Sequence, residues 1–151
     1  MKLFMENKEH GGEVVSNPQV LIDSDAFVGR FMAKDAHYQN ANRLFAKIEK
    51  MGNPIITTSM VIAETATVLS HYDTQVKAKK FIRTIQRSKL AVIHIDELLQ
   101  QKALEIFCSQ LKRGTSVADC ANVAVMRHMH ISTIFSFDKV YPKQFNLNVF
   151  S

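Results

Sequence analysis

The sequence predicts a single α/β domain in which a central, mostly parallel sheet of four to five strands is flanked by helices on both faces. Two observations predict this class. Short apolar runs, typical of buried strands, alternate with longer segments of helical length, and such alternation is typical of parallel sheets. The chain has 151 residues, 46% of them hydrophobic, which fits one domain with a substantial core.

The chain is predicted to divide into a short extension and one folded domain. Residues 1–18 are polar and glycine-bearing, and they are expected to form an N-terminal extension of undetermined order. Residues 19–151 contain every predicted strand and helix, so they are expected to form the domain.

Each predicted strand is a short apolar run of the kind that is buried in a sheet. The predicted strands cover residues 20–22, 55–57, 91–93, 131–135 and 148–150. In a parallel sheet, ligands gather at the carboxyl ends of the strands. Asp23 directly follows the first strand and Asp138 comes just after the fourth, so both are expected on the same rim.

Capping and breaking residues bound the predicted helices. Asp25 is a candidate cap of the helix after the first strand, and Ser116 is expected to cap a helix near the C-terminus. Gly52 and Pro54 are expected to end the helix that precedes the second strand. Further predicted helices cover about residues 37–51, 59–70, 74–88, 96–111, 116–129 and a short turn at 139–145.

The composition excludes several functional classes. Cys108 and Cys120 are too few for a disulfide framework, and they are expected to be free thiols in a reducing cytosol. The sequence contains neither a GxGxxG nor a GxxxxGK[ST] motif, which argues against the common nucleotide-binding folds. No secretory signal or membrane span is visible, so a cytoplasmic location is predicted. The formal net charge of +5 permits a nucleic-acid partner without requiring one.

Several acidic residues stand alone in apolar surroundings. They lie in stretches of 12 or more residues that contain no Lys or Arg, and they are Asp23, Asp25, Glu64 and Asp119. Burial of an unpaired carboxylate costs several kcal/mol, so each acid needs a partner or a raised pKa. A helix N-terminus favours a negative charge by only about 0.3–1 kcal/mol, which is too little to hold several acids together.

The positions of these acids and of Asp138 predict one shared metal site. For any single acid, a role as a helix cap or as a side chain satisfied by a neighbour remains open. Together, however, they fall at strand ends and helix starts that are expected to face one rim. Carboxylates without a His or Cys pattern favour Mg²⁺ or Mn²⁺, and such ions orient water and stabilise charge in phosphodiester cleavage.

Four motifs, in this order and spacing, resemble those of PIN-domain ribonucleases, most closely the VapC toxin branch. The motifs are residues 21–27 (LIDSDAF), 59–65 (SMVIAET), 116–124 (SVADCANVA) and 134–141 (IFSFDKVY). Each motif alone is weakly specific. Their order within the strand and helix pattern carries the resemblance, which covers about residues 19–151.

The resemblance implies a PIN-like endoribonuclease that cleaves single-stranded or looped RNA with water activated by one or two Mg²⁺ or Mn²⁺ ions. The residues that it implies as both catalytic and metal-binding are Asp23, Glu64, Asp119 and Asp138. Ser136 and Ser24 are expected to support the acidic pocket by hydrogen bonding. Asp25 stands where Ser, Thr or Asn is usual, and it is expected to be either an additional ligand or a helix cap.

Two further positions depart from the pattern of the family. Asn122 is more polar than the usual residue one turn after the third acid. Tyr141 ends the fourth motif where Phe is common. Neither departure removes a required carboxylate.

The predicted helix over residues 74–88 has a basic face opposite an apolar one. The residues of this face that are predicted to bind RNA phosphates are Lys77, Lys80, Arg83 and Arg87. A solvated face without any partner is the alternative.

The resemblance also implies partners, namely an RNA substrate, a cognate antitoxin protein and a second copy of the chain in a homodimer, with no membrane association. Three other functions remain open. They are a PIN-like nuclease that processes ribosomal RNA, a PIN module that binds RNA or protein without cleaving it, and an aspartyl-nucleophile phosphatase. The phosphatase is suggested by the DxD form of residues 23–25, but the downstream Lys and paired acids of such enzymes are not evident.

Overall fold

Five short parallel strands form the centre of the molecule. The computed structural model describes residues 17–151, so nearly all of the extension predicted over residues 1–18 lies outside the described residues. The strands are β1 (Val20–Ile22), β2 (Ile55–Thr58), β3 (Ala91–Ile93), β4 (Thr133–Phe135) and β5 (Asn148–Val149). They form one sheet in the order β3-β2-β1-β4-β5, and every neighbouring pair is parallel. The predicted α/β class is confirmed.

Seven helices in the described part of the chain surround this sheet. They are α1 (Ser24–Phe31), α2 (Tyr38–Met51), α3 (Ser59–Tyr72), α4 (Gln75–Arg87), α5 (Glu97–Cys108), α6 (Val117–His128) and α7 (Val140–Phe145). Among residues 17–151, none of the helices is long and apolar enough to cross a membrane.

Successive side chains of β1 point to opposite faces of the sheet, and both faces are buried. Val20 and Ile22 pack in a cluster with apolar residues of α1, α2, α3 and α4. Leu21, between them, packs in a second cluster with residues of α5, α6 and α7. All three side chains are 1% exposed or less, which explains why this strand is a continuous apolar run without an alternating polar pattern.

The helix starts confirm one predicted cap and correct another. The Ser116 hydroxyl accepts a hydrogen bond from the backbone amide of Asp119 at 3.0 Å, as a helix cap does. Of the two roles left open for Asp25, a ligand or a helix cap, the cap is wrong, because Asp23 occupies the N-cap position of α1 and Asp25 lies in the first turn. The Asp25 carboxylate instead accepts a hydrogen bond from the backbone amide of Phe137, which follows β4.

Helix α5 and strand β4 differ from their predicted ranges, each for a local reason. Helix α5 ends at Cys108, because hydrogen bonds from Ser109 and Gln110 to the carbonyl of Ile106 close its last turn. Strand β4 begins at Thr133 and not at residue 131, because His130 is left-handed with a φ of 56° and the backbone amide of Ile131 still donates to the carbonyl of Met126 in α6.

Candidate active site

The strand order places the carboxyl ends of β1 and β4 side by side at the centre of the sheet. The chain leaves β1 toward β2 on one side, whereas β4 lies on the other side, so a crevice opens between the two strand ends. Asp23 follows β1 directly, and its backbone amide donates to the carbonyl of Phe135 at the end of β4. The predicted rim is therefore the topological switch point, where α/β proteins bind ligands.

Asp23 is the most deeply buried acid of this site, with 4% of its surface exposed. Its Oδ1 accepts a hydrogen bond from Nδ2 of Asn122 at 3.0 Å. Its Oδ2 accepts one from the hydroxyl of Ser136 at 2.8 Å. Among residues 17–151 no cationic side chain pairs with this carboxylate, so its negative charge is stabilised by neutral donors alone.

Ser136 joins Asp23 to Asp25. Its hydroxyl lies 2.8 Å from Oδ2 of Asp23 and 3.1 Å from Oδ2 of Asp25, and it accepts a hydrogen bond from the backbone amide of Asp138. One hydroxyl carries one proton, so it satisfies one of the two carboxylates at a time. The other Asp25 oxygen, Oδ1, is buried and has no hydrogen-bond partner. The site is therefore short of positive charge and of donors.

The pKa values of both carboxyl groups reflect this shortage. Burial raises the pKa of Asp23 from 3.8 to about 8, and the nearby charge of Asp25 is the next cause. Burial also raises the pKa of Asp25 to about 6, and the charge of Asp138 adds to it. A proton or a cation is needed to stabilise the pair near neutral pH.

Asp119 reaches the same network from the first turn of α6. Its Oδ2 accepts a hydrogen bond from the backbone amide of Ser116 at 2.7 Å, which completes a reciprocal capping box. Its Oδ1 accepts one from the hydroxyl of Tyr141 at 3.1 Å. The negative charge of Asp119 contributes to the raised pKa of Asp23, so the two acids interact.

Asn122 and Tyr141 connect these acids. The amide nitrogen of Asn122 donates both to Asp23 and, at 3.0 Å, to the Tyr141 hydroxyl. Its amide oxygen accepts a hydrogen bond from the hydroxyl of Thr58 at 3.1 Å. Thr58 is the N-cap of α3, the helix that carries Glu64. Both Asn122 and Tyr141 are fully buried.

Three predicted site residues lie nearer the edge of this network. Asp138 is exposed in the loop between β4 and α7, and its Oδ1 accepts a hydrogen bond from the backbone amide of Val140 at 2.8 Å. Ser24 acts on Asp23 through its backbone, which lowers the pKa of that carboxyl group and so partly offsets the effect of burial. Glu64 is half-buried on α3, and the structure gives it no hydrogen bond or ion pair with another described residue.

The four predicted RNA-binding residues lie on α4, which packs beside α3. Lys80, Arg83 and Arg87 are exposed, as predicted for a basic face. Lys77 is half-buried, and its ammonium group forms an ion pair with Asp73 at 2.6 Å, so it is less free to bind phosphate. The groove between the two helices, about 420 Å³ in volume, is lined by Arg83 together with Ala66, which is two residues after Glu64.

The donor set of the site fits a hard divalent cation. It consists of carboxylate oxygens, one of them buried without a partner, and it carries more negative charge than its donors stabilise. Within residues 17–151, however, no group of three or more His, Cys, Asp or Glu side chains is arranged to hold a metal ion. Both carboxylate oxygens of Asp119 already accept hydrogen bonds, from the Ser116 amide and the Tyr141 hydroxyl. Glu64 makes no hydrogen bond or ion pair with another described residue. The four-acid metal set therefore stays a prediction.

Some of the contacts were not predicted from the sequence. Thr58 was not among the predicted site residues, and Asn122 and Tyr141 were noted only as departures from the motifs. A detectable signal existed for Asn122, since it is a polar residue between the apolar residues of α6, three positions after Asp119. No such signal pointed to Thr58.

The fold and the site together define an α/β protein with an acidic pocket at the switch point of a parallel sheet. The chain belongs to the PIN domain family, whose model matches residues 20–144. It is also similar to a VapC ribonuclease of Archaeoglobus fulgidus, with 26% identity over 121 residues that cover 78% of this chain and 76% of the relative.

Solved structures agree with this assignment. The chain resembles Mycobacterium tuberculosis VapC20, described as a sarcin-ricin loop cleaving toxin, with a TM-score of 0.73, 25% identity and coverage of 79% of this chain and 89% of the other. FitAcB from Neisseria gonorrhoeae matches with a TM-score of 0.64 and 12% identity over 87% of this chain and 96% of the other. VapBC2 from Rickettsia felis, bound to a promoter DNA fragment, matches with a TM-score of 0.59 and 17% identity over 87% of this chain and 96% of the other. At these lower identities, the last two show the fold alone.

Proposed function

We propose that this protein is an Mg²⁺- or Mn²⁺-dependent endoribonuclease that cleaves single-stranded or looped RNA. The observation that carries the proposal is the buried Asp23, which is linked through Ser136 to Asp25 and through Asn122 and Tyr141 to Asp119. A switch-point pocket with this excess of negative charge is suited to a cation that binds a phosphodiester. Membership of the PIN domain family and the similarity to VapC ribonucleases support the same chemistry.

The proposed metal ligands are Asp23, Glu64, Asp119 and Asp138. A bound divalent cation supplies an activated water and stabilises charge on the phosphate. The chain itself has three tasks. Ser136 orients Asp23 and Asp25, Ser116 and Tyr141 orient Asp119, and the exposed cations of α4 bind the RNA backbone.

Cleavage of a hairpin RNA tests this function. A sarcin–ricin hairpin is a suitable substrate because the similar protein VapC20 is a sarcin-ricin loop cleaving toxin. A single-stranded RNA of the same composition is the comparison. We expect cleavage with Mg²⁺ or Mn²⁺ and none with a chelator. Asp119→Asn and Glu64→Gln are each expected to lower the rate at least 100-fold, by analogy with the loss of other groups that stabilise transition-state charge.

Glu105→Gln is the matched control, because Glu105 is an exposed acid on α5 that lies outside the pocket of acids. It should retain the wild-type rate. Equal cleavage by the wild type, Asp119→Asn and Glu64→Gln would contradict the proposed active site. Cleavage that persists in chelator would contradict the metal dependence.

We further propose that the nuclease acts in the cytoplasm as the toxin of a toxin–antitoxin pair, restrained by a cognate antitoxin and assembled as a homodimer. The similarity to a VapC ribonuclease and to a VapC toxin supports this proposal. Expression of the chain alone should then arrest growth of the host cells, whereas the Asp119→Asn variant should not. A nuclease that processes ribosomal RNA would instead be tolerated at the same level of expression.

Two other functions are less well supported by the site. An aspartyl-nucleophile phosphatase needs an accessible carboxylate, whereas Asp23 is 4% exposed and both of its oxygens accept hydrogen bonds. Trapping of Asp23 by beryllium fluoride would support the phosphatase. A PIN module that binds without cleaving would bind the hairpin RNA but release no fragments with either metal.

A further inference from the structure

Asn122 joins three elements of the fold in the centre of the acidic pocket. It lies on α6 and is 0% exposed, so its amide must find partners within the protein. Its nitrogen donates to Oδ1 of Asp23, after β1, and to the hydroxyl of Tyr141, in α7. Its oxygen accepts from the hydroxyl of Thr58, the cap of α3. Because the Thr58 hydroxyl occupies the amide oxygen, the nitrogen is held toward the acids.

Tyr141 extends this link to the second acid. Its side chain is 0% exposed, and its ring lies within the apolar cluster of α5, α6 and α7. A Phe ring would fill this space equally well, whereas a buried hydroxyl without partners destabilises the folded protein. The hydroxyl accepts from Asn122 and donates to Oδ1 of Asp119. Its presence is therefore explained by the two polar groups that it joins.

The result is a continuous chain of hydrogen bonds from one carboxylate to the other. It runs from Oδ1 of Asp23 through the Asn122 amide and the Tyr141 hydroxyl to Oδ1 of Asp119. The remaining oxygens are held separately, by Ser136 in Asp23 and by the backbone amide of Ser116 in Asp119. When the Ser136 proton is directed at Asp23, each of the two carboxylates is held at both oxygens. Two acids that would otherwise repel each other are kept together by neutral donors between them.

We propose that Asn122 and Tyr141 are a buried positioning pair, which holds Asp23 and Asp119 at the separation and orientation that a divalent cation requires. The inference rests on the proposed metal-dependent function and extends it to two residues that are not themselves ligands. Groups that hydrogen-bond metal ligands from behind commonly change metal affinity 10–100-fold when they are removed. The pair also connects to the cap of α3, so it ties the helix of Glu64 to the same network.

Direct Mn²⁺ binding tests the pair without relying on cleavage. The full chain, free of RNA, is titrated with Mn²⁺, and free ion is measured by electron paramagnetic resonance. Tyr141→Phe removes only the hydroxyl and keeps the ring, and Asn122→Leu replaces the amide with a group of similar size. We expect each variant to bind Mn²⁺ about 10–100-fold more weakly than the wild type.

Asn53→Ala is the control for loss of a buried amide. Asn53 is 8% exposed and donates to the carbonyl of Pro18, before the amino end of β1 and thus at the edge of the sheet away from the acids. This variant should lower the melting temperature while keeping the wild-type Mn²⁺ affinity. If a general loss of stability caused the effect, all three variants would weaken binding in proportion to their melting temperatures.

The double variant decides whether the two residues act as one link. Because either substitution breaks the same chain, Asn122→Leu with Tyr141→Phe should bind Mn²⁺ about as weakly as the weaker single variant. Wild-type affinity in Tyr141→Phe would overturn the positioning role and leave the proposed nuclease intact, even if Asn122→Leu fails to fold. A wild-type protein that binds no Mn²⁺ would overturn the proposed metal dependence and the positioning role with it.

Discussion

Gly29 sets how closely α1 approaches α2, and α1 is the helix that follows its N-cap Asp23 and carries Asp25. A Cβ atom at position 29 would lie 3.0 Å from the Cβ of Ala41 and 3.4 Å from that of His37. Neither Cβ can rotate away, since each is fixed to its backbone. The residue type at this single position is therefore decided by the contact between two helices, and not by the conformation of α1.

Gly29→Ala is expected to destabilise the protein. Ala is favoured over Gly in a helix by about 1 kcal/mol, but overpacking a buried contact costs roughly 1–3 kcal/mol. We expect the free energy of unfolding to fall by about 1 kcal/mol, measured by urea denaturation. Ala41→Gly removes the atom at 3.0 Å, so the double variant should lose less stability than the sum of the two single variants. Strictly additive losses would show that crowding is not the cause.

Asp23 and Asp119 could be singled out from the sequence residue by residue, whereas most of their hydrogen-bond partners, Ser136 excepted, could not. A carboxylate in a long apolar stretch without Lys or Arg stands out in the sequence, as Asp23 and Asp119 do. The partners depend on which residues the fold places beside them, and Thr58, Asn122 and Tyr141 come from three separate helices or their caps. The hydrogen bonds of Asp25 were not predicted for the same reason, because they reach to residues 136 and 137.

Helix α4 shows how an element divides its surface between stability and binding. Ala78, Phe81 and Ile85 are buried against the sheet and α3, which accounts for the apolar spacing in its sequence. Its basic residues are left on the outer face, apart from Lys77, which pairs with Asp73. The periodicity predicted this division correctly. It did not predict the ion pair, since Asp73 lies outside the helix, four residues before Lys77.

Removal of two charges from α4 is expected to weaken RNA binding in a salt-dependent manner. In Lys80→Ala with Arg83→Ala, the slope of log affinity against log salt should fall in magnitude by about 1.4, or about 0.7 for each lost contact with single-stranded RNA. Fluorescence anisotropy with a labelled RNA, with catalysis blocked by a chelator, measures this slope.

Lys50→Glu provides the matched control, because it changes the net charge by the same two units at the end of α2, just before β2 and thus away from the acids. Its slope should equal that of the wild type. If the salt slope falls equally in Lys50→Glu and in the double variant of α4, net charge explains the binding, and the basic face of α4 makes no specific contribution.

The position of the acidic pocket in the molecule follows from the order of the strands in the sheet. Because β1 lies at the centre, with β2 and β4 on either side, residues far apart in the chain meet at one crevice. The alternation of apolar runs and helices predicted the parallel sheet and its carboxyl rim, since helical crossovers constrain strands to run in the same direction. It did not predict the exact ends of α5 and β4, which depend on local hydrogen bonds and on a left-handed turn at His130.

The acidic pocket should also make the stability of the whole protein depend on pH and on metal. The pKa values of Asp23 and Asp25 are raised in the folded state, to about 8 and about 6, from an ordinary 3.8. The folded state therefore binds more protons than the unfolded state between about pH 4 and pH 8, and its free energy of unfolding should fall as pH rises through that window. Above about pH 8, both groups are ionised in the folded and the unfolded state, and the full cost of burying two ionised carboxylates lowers the free energy of unfolding.

Urea denaturation at pH 5 and pH 8 in chelator measures this penalty. The wild type should be less stable at pH 8, and Asp23→Asn should lose less stability between the two pH values, because its neutral amide cannot ionise. Glu105→Gln, on the exposed face of α5, should behave as the wild type. Mn²⁺ at pH 8 should restore stability to the wild type but not to Asp23→Asn, since a cation that binds only the folded state stabilises it by an amount that rises with the logarithm of the ion concentration over its Kd. If the free energy of unfolding depended on pH equally in the wild type and in Asp23→Asn, that result would contradict a raised pKa of the buried Asp23 carboxyl group.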